Sequence, residues 1–360
     1  MPATHRRERL RSAFPHNVDA IALTDRINVL WGSGFSGSTG ALLIPVDPTQ
    51  SDVFATDGRY TLRAVQETEG LEILETRQGI ESLLWLAGER GMRRVGVEAD
   101  HISLSSLRRL EAVAADHEVG LVPLPDLVEP LRRVKDADEI AALRLACEIT
   151  DAAFEGVLGQ LRPGLCETEI EWRLLTELHN LHAEGPAFDP IVASGPNGAI
   201  PHHRPSGRVL GPGDLLTLDF GAKVGGHHAD MTRTVVIGPP SDWQRDVYAL
   251  VRSIQEAGCR AARGGVVPKA LNDQAATTIE AAGHSASHGL GHGVGLEIHE
   301  APWLTPESVS PPLQPFTTFT IEPGIYVGGL GGVRIEDTLI VDASGDPQRL
   351  TCSSRELIEV

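Results

Sequence analysis

Hydrophobic and polar positions follow two different patterns along this chain. Ala20–Leu23 and Ala41–Pro45 are short, unbroken apolar runs. Such runs predict strands buried on both faces. They lie in a stretch, residues 15 to about 125, where apolar strands alternate with helical segments, as in an α/β layer. Between the two runs lies Gly32-Ser33-Gly34-Phe35-Ser36-Gly37-Ser38-Thr39-Gly40. It contains G-x-G, but no Lys-Ser/Thr follows and no suitable acidic residue stands about 20 positions on. It therefore reads as a turn-rich connection and not as a phosphate loop.

The pattern changes near residues 126–135, where Asp126-Leu127-Val128-Glu129-Pro130 gives way to Arg132, Arg133 and Lys135. A boundary there divides the chain into domains 1–130 and 131–360. Asp136 and Glu139 have the spacing of a capping box. The helix that follows carries Ile140, Leu143, Cys147, Phe154 and Val157 on one stripe and is expected to end at Pro163-Gly164. A second helix is expected from about Glu167, with Ile170, Leu174, Leu178 and Leu181. Beyond it the chain is strand-rich, with two more helices near 242–262 and 268–282. Helices grouped apart from antiparallel hairpins predict an α+β fold.

Two hairpins carry the chemistry. Leu215-Leu216-Thr217-Leu218-Asp219-Phe220 reads as a buried strand, and Thr232-Arg233-Thr234-Val235-Val236-Ile237 as its partner. A tight turn centred on Val224 and Gly225 sets Asp219 directly opposite Asp230. Facing side chains are then about 4.5–5.5 Å apart at Cβ, where like charges destabilise unless a cation lies between them. Residues 317–322 read as another strand. Residues 333–341 alternate, with Arg334, Glu336 and Thr338 on one face. A hairpin centred on Gly329 sets Glu322 opposite Glu336. Arg334 either pairs with Glu336 or supports the site or a substrate carboxylate.

Between the hairpins lies His288-Gly289-Leu290-Gly291-His292-Gly293-Val294-Gly295-Leu296-Glu297-Ile298-His299-Glu300. Its glycines argue against a zinc-binding helix and for a loop or strand held close to something. His202-His203 and His227-His228 add imidazoles. Carboxylates with a histidine make a mostly oxygen site, suited to hard ions such as Mn²⁺ and Mg²⁺. Two divalent ions would balance four carboxylates. Such a pair can generate a hydroxide and clamp a tetrahedral transition state, which implies hydrolysis.

Composition narrows the class. With 31 basic and 49 acidic residues, the net charge is 31 − 49 = −18. That argues against a nucleic-acid backbone or an anionic membrane as partner. Hydrophobic residues make up 41% of the 360, an ordinary globular share that excludes a largely disordered chain. No run approaches the roughly 20 apolar residues of a transmembrane helix, and no secretory apolar stretch follows the basic N-terminus. We expect a cytoplasmic protein. Cys147, Cys166, Cys259 and Cys352 are far apart and are expected to be reduced and mostly buried.

At these residues the chain closely resembles the Xaa-Pro peptidases, the prolidase and aminopeptidase P branch of the "pita-bread" metallopeptidases. Nearly the whole chain is covered. The N-terminal part matches through Leu23-Thr24-Asp25-Arg26-Ile27-Asn28-Val29, Ser33-Gly34-Phe35-Ser36-Gly37-Ser38 and Ala55-Thr56-Asp57-Gly58-Arg59-Tyr60. The C-terminal part matches through Leu218-Asp219-Phe220-Gly221, Ala229-Asp230-Met231-Thr232-Arg233-Thr234, the stretch from His288 to His299, Thr320-Ile321-Glu322-Pro323-Gly324 and Val333-Arg334-Ile335-Glu336-Asp337. The resemblance implies an N-terminal α/β creatinase-like domain followed by a pita-bread catalytic domain, commonly as a homodimer. It implies two divalent ions, usually Mn²⁺ with Co²⁺ or Zn²⁺ as substitutes. Asp219 would hold one, His292 and Glu322 the other, and Asp230 and Glu336 would bridge them. Glu322 would also move the proton of the attacking hydroxide. His202 and His299 would contact the scissile peptide, His288 would line the proline pocket and Arg334 would support the site. The implied substrate is a proline-containing dipeptide or short peptide.

Within the enzyme class, methionine aminopeptidases share the five ligands but usually lack a first domain, and creatinase shares the layout but not the ligands. Binding proteins on this fold have lost the ligands, whereas all five are present here. The family usually has tyrosine where His227 stands, which removes a hydroxyl. Phe316 stands where a turn glycine is common, so that turn is expected to be reshaped. Arg334 and the dense histidines favour a dipeptidase, which must neutralise a free prolyl carboxylate. An aminopeptidase acting on longer peptides is the alternative.

Overall fold

The computed structural model describes residues 3–360. The chain forms two compact units, one ending at Arg132 and the other spanning Arg133–Val360. The first is built on six strands: β1 (Ala20–Leu23), β2 (Ala41–Pro45), β3 (Val53–Thr56), β4 (Glu72–Glu75), β5 (Arg94–Glu98) and β6 (Gly120–Leu124), in the order β4-β3-β2-β1-β5-β6. The two apolar runs read from the sequence are β1 and β2, and every residue in both is buried. The glycine-rich run is not all connection. Gly32 and Ser33 close the helix Arg26–Ser33, which Asp25 caps by accepting from the N–H groups of Ile27 and Asn28. Gly34 ends it at φ +81°, where a side chain would be strained.

The second unit contains β7 (Gly185–Pro186), β8 (Ile191–Ser194), β9 (Leu215–Phe220), β10 (Ala222–Val224), β11 (His227–His228), β12 (Met231–Val236), β13 (Gly291–Gly293), β14 (Glu300–Leu304), β15 (Thr318–Ile321), β16 (Gly324–Val327), β17 (Gly331–Arg334), β18 (Asp337–Val341) and β19 (Pro347–Arg349). The helices Ala137–Leu158 and Glu167–Asn180 pack their apolar stripes, Phe154 and Leu174 among them, against Leu216, Leu218 and Val235 of β9 and β12. The helices Asp242–Ala261 and Pro268–Ala281 bury Val251, Ile254 and Leu271 against Phe319, Ile321 and Leu339 of β15 and β18. This is the α+β arrangement that the grouping of helices and hairpins predicts. Asp136 and Glu139 form the expected capping box. The helix they open stops at Leu158, before Pro163-Gly164, because Gly159 interrupts it.

One hairpin differs from its expected register. β9 pairs β12 with Asp219 opposite Thr232, and β10 pairs β11 with Val224 opposite His227. The turn falls on Gly225 and Gly226, both at positive φ, one residue later than expected. Asp219 and Asp230 therefore sit diagonally, not face to face. The shift is even, so both carboxylates keep the same side of the sheet. The second hairpin keeps its expected register. β16 pairs β17 with Gly324 opposite Arg334, and β15 pairs β18 with Ile321 opposite Asp337. Residues 333–341 are nevertheless two strands, not one. Pro323 has no N–H for the ladder, so pairing lapses and Glu322 and Glu336 face each other in the gap.

Phe316 takes φ +68°, the conformation a glycine would favour, donates its N–H to Val341 O at 2.7 Å and accepts from Lys135 N–H at 2.9 Å. All four cysteines are free; Cys147 and Cys259 are buried, Cys166 is half-buried and Cys352 is exposed. Among the described residues no helix is long and apolar enough to cross a membrane.

Candidate metal centre

A cavity of about 250 Å³ opens in the second unit, and all nine residues singled out from the sequence line it: His202, Asp219, Asp230, His288, His292, His299, Glu322, Arg334 and Glu336. Period-2 alternation delivers Asp219 from β9, and the break between β17 and β18 delivers Glu336. His292 sits in β13 between two glycines that nothing larger could replace. A Cβ on Gly291 would lie 2.1 Å from Thr320 O, and one on Gly293 would lie 2.3 Å from Ala301 O.

One ligand atom from each of Asp230, His292 and Glu336 lies within 4.8 Å of the others. His292 Nε2 is 3.5 Å from Asp230 Oδ2 and 3.3 Å from Glu322 Oε1. Its Nδ1 faces Gly293 O at 3.0 Å, which places the ring proton there and turns the Nε2 lone pair towards the carboxylates. Burial, helped by the neighbouring His299, pushes the His292 pKa down to about 3, so the ring is neutral and free to ligate. The carboxylates shift the other way. Burial first, and then mutual repulsion, raises Asp230 and Glu336 well above the ordinary range. Glu322 is pushed up to about 8, chiefly by burial. A neutral imidazole lone pair facing buried carboxylates is repulsive unless a proton or a cation sits between them.

The residues fit a divalent ion on a further observation. Asp219 Oδ1 and Glu336 Oε1 are buried with no hydrogen-bond partner. The second oxygen of each is held: Arg334 Nη2 donates to Asp219 Oδ2 at 2.5 Å, and Thr232 Oγ1 donates to Glu336 Oε2 at 2.6 Å. Each carboxylate is thus fixed by one oxygen and presents the other. Buried polar atoms are left this way at real cost unless something binds them.

Arg334 pairs with Asp219 rather than Glu336, because Glu336 lies in the strand break while β17 faces β9. Its Nε also donates to Thr232 Oγ1 at 3.1 Å, and its Nη1 to Tyr326 OH at 2.8 Å and to Pro201 O at 3.3 Å. His288 is equally engaged, with Nδ1 facing Gly289 O at 2.8 Å and Nε2 facing Tyr326 OH at 2.9 Å. His299 packs edge-on against His292, with ring centroids 4.4 Å apart. Burial lowers its pKa and that of His288. His203, His227 and His228 do not line the cavity. Their ring nitrogens meet Glu167 Oε2, Gly225 O and Gly295 O at 2.8, 2.9 and 3.0 Å. His227 thus makes a local bond within its own turn.

Three residues that hold the cavity's side chains and backbone escape a sequence reading based on acids and histidines. Thr232 orients Glu336, Tyr326 joins Arg334 to His288, and Thr338 Oγ1 donates to Asp230 O at 2.8 Å. Thr232 and Thr338 each lie two residues from a carboxylate of the cluster, Asp230 and Glu336, a signal available in the sequence.

Comparison with known proteins places this geometry. Residues 141–343 match metallopeptidase family M24, and residues 6–134 match the creatinase/prolidase N-terminal domain. The chain belongs to metallopeptidase family M24 and is a metal-dependent hydrolase carrying the creatinase-type N-terminal domain and the pita-bread domain. It is 33% identical to the Xaa-Pro dipeptidase of Pyrococcus furiosus, over 95% of this chain and 96% of that one. Among solved structures, the Xaa-Pro dipeptidase from Bacillus anthracis superposes with a TM-score of 0.93 at 37% identity, covering 99% of this chain and 100% of the other. The X-Pro aminopeptidase from Thermotoga maritima gives 0.90 at 35% identity, with the same coverage.

Proposed function

We propose that this protein hydrolyses the bond between an N-terminal residue and a following proline, using two divalent ions. The observation that carries the reading is the pair of partnerless buried oxygens, Asp219 Oδ1 and Glu336 Oε1, beside the Asp230–His292–Glu336 cluster. Similarity to Xaa-Pro dipeptidases and an X-Pro aminopeptidase supports the substrate class. Asp219, Asp230, His292, Glu322 and Glu336 would together hold the ions. The expected metal is Mn²⁺, which suits an oxygen-rich site. A cytoplasmic homodimer is part of the same proposal.

When bound, the ions supply an activated water and polarise the scissile carbonyl. Glu322 would serve as the group that holds and moves a proton beside the scissile bond. His202 and His299, which hold no hydrogen bond among the described residues, are placed to donate to the scissile group. An Xaa-Pro bond is a tertiary amide with no N–H and interconverts slowly between cis and trans. Peptidases that bind that N–H stall there. This cavity asks nothing of it.

We favour the dipeptidase form, supported by the dipeptidases among the relatives. One observation favours the aminopeptidase form: Arg334 and His288 spend their polar atoms inside the protein, which leaves His202 and His299 to meet a free prolyl carboxylate. Turnover of Met-Pro and Met-Pro-Ala at one Mn²⁺ concentration separates the two. Faster cleavage of the tripeptide moves the protein to the aminopeptidase branch. Cleavage of neither, with Mn²⁺ bound, overturns the substrate class.

A further inference from the structure

Behind the metal centre lies a second layer of buried charge. Arg233 follows Thr232 in β12, and Asp337 follows Glu336, so both leave their strands on the face away from the cavity. Arg233 is 1% exposed, and all five of its N–H groups have acceptors. Nε donates to Ser354 O at 2.8 Å. Nη1 donates to Thr232 O at 2.9 Å and to Glu336 O. Nη2 donates to Asp337 Oδ1 at 2.7 Å and to Ser353 O at 2.8 Å. Asp337 is fully buried and also accepts from Thr351 Oγ1 at 2.9 Å, Gln255 Nε2 at 2.8 Å and Arg349 Nη1 at 3.1 Å.

The two carbonyls that Nη1 joins belong to the two segments carrying the bridging carboxylates. Glu336 lies where the β-ladder has lapsed, and its N–H is tied to Thr232 O at 3.1 Å. Arg233 closes the loop from the other side by holding Glu336 O and Thr232 O with one nitrogen. Repulsion between Asp230 and Glu336 pushes these segments apart, and the guanidinium opposes it. The chain's last segment completes the brace. Ser353 N–H is held by Asp151 Oδ1 at 2.8 Å, so the acceptors of Arg233 are themselves fixed.

We propose that Arg233, backed by Asp337, is a positioning residue that sets the spacing of the Asp230 and Glu336 segments and thereby the affinity of the site for divalent metal. This rests on the reading of Asp230 and Glu336 as ligands. A lysine cannot reproduce it, because three rotatable donors cannot span five acceptors arranged around a planar fork.

The test is Mn²⁺ titration by calorimetry on the metal-free full chain and its Arg233→Lys variant, with thermal unfolding recorded beside it. Mn²⁺ binding is expected to weaken by about 10–100-fold, the usual effect of disturbing groups that orient metal ligands. At saturating Mn²⁺, kcat is expected to fall with KM little changed. Tyr248→Phe serves as the stability control: Tyr248 OH donates to Arg355 O and Glu356 O of the same segment but touches neither carbonyl. It is expected to lower Tm and leave Mn²⁺ affinity unchanged. Arg233→Lys binding Mn²⁺ within about twofold of the parent, whatever its Tm, overturns the proposal. Should that variant not fold, Asp337→Asn is read the same way, with weaker binding in support and unchanged binding against. A parent protein that binds no Mn²⁺ overturns the ligand reading itself, and this inference with it.

Discussion

Asp219 and Glu336 each hold one carboxylate oxygen in a hydrogen bond and leave the other buried and bare, an arrangement that a bound cation would stabilise. The charges matter more than the shapes. Asp230→Asn or Glu336→Gln keeps the volume and removes one carboxylate charge from the cluster. Hydrolysis of an Xaa-Pro peptide with Mn²⁺ is expected to fall by at least a hundredfold while far-UV circular dichroism stays that of the parent. Near-normal turnover in either variant would sink the metal assignment. Phe316 shows strain accepted for another reason, since its carbonyl and N–H tie the turn at Thr317 to Lys135 and Val341. A side chain at such a positive φ costs about 1–2 kcal/mol. Phe316→Gly is therefore expected to change stability by under about 1 kcal/mol, since relief of strain offsets the lost ring contact. Phe316 is 38% exposed, so its ring has less to lose than the about 3–5 kcal/mol of a fully buried aromatic. A loss above about 2 kcal/mol in urea unfolding would show that the ring, and not the turn, is what the site needs.

Among the elements, the helix Glu167–Asn180 does more than cover a sheet. Its first residue, Glu167, is fully buried and accepts from Ser194 N–H and Oγ, Asn197 Nδ2, Ser206 N–H and Oγ, and meets His203 Nε2. It thus ties β8 to the loop that carries His202 into the cavity. Burial alone would raise its pKa, but bonds from Ser206, Ser194, Asn197 and His203 outweigh it and hold the carboxyl at about 2. The unfolded chain then binds the proton first. Stability from Glu167 is complete above pH of about 4.5 and is lost as pH falls towards 2. Glu167→Gln is expected to flatten that part of the stability-pH curve and to cost about 1–3 kcal/mol at pH 7, where partners lose a charged acceptor. An acid limb identical to the parent's refutes this role.

At the scale of the whole molecule, the centre is a cluster of like charges that the rest of the second unit holds together. Glu322, with a pKa pushed up to about 8, takes a proton on folding in the absence of metal. A raised carboxyl pKa makes the folded state bind more protons than the unfolded one. The chelated protein is therefore expected to lose stability as pH rises from about 4.5 to 8. On the proposed reading, Mn²⁺ would take the place of that proton. Free Mn²⁺ at a hundred times its Kd contributes about 2.7 kcal/mol. Thermal unfolding with Mn²⁺ and with a chelator is expected to differ, and by more at pH 8 than at pH 6. Equal melting curves under both conditions count against any metal site.

Much of the centre is legible without a structure. Alternation along β9 and β12 places Asp219, Asp230 and Thr232 on one side, and period 2 survives even when the turn is placed one residue early. The glycine turn after β16 sets Glu322 against Glu336, since a short loop of glycines leaves few registers. The capping box at Asp136 and Glu139 and the unbroken apolar runs of β1 and β2 are equally local. What the tertiary structure alone decides is which distant groups meet. The diagonal relation of Asp219 to Asp230 follows from which glycines take positive φ. The engagement of His288 by Tyr326 spans 38 residues, and the partner of Arg334 and the meeting of Arg233 with Asp337, Ser353 and Ser354 depend on segments more than a hundred residues apart. Sequence periodicity assigns each side chain to a face. Only packing assigns it a neighbour, because the faces of separate strands and helices meet in an order that no local pattern records.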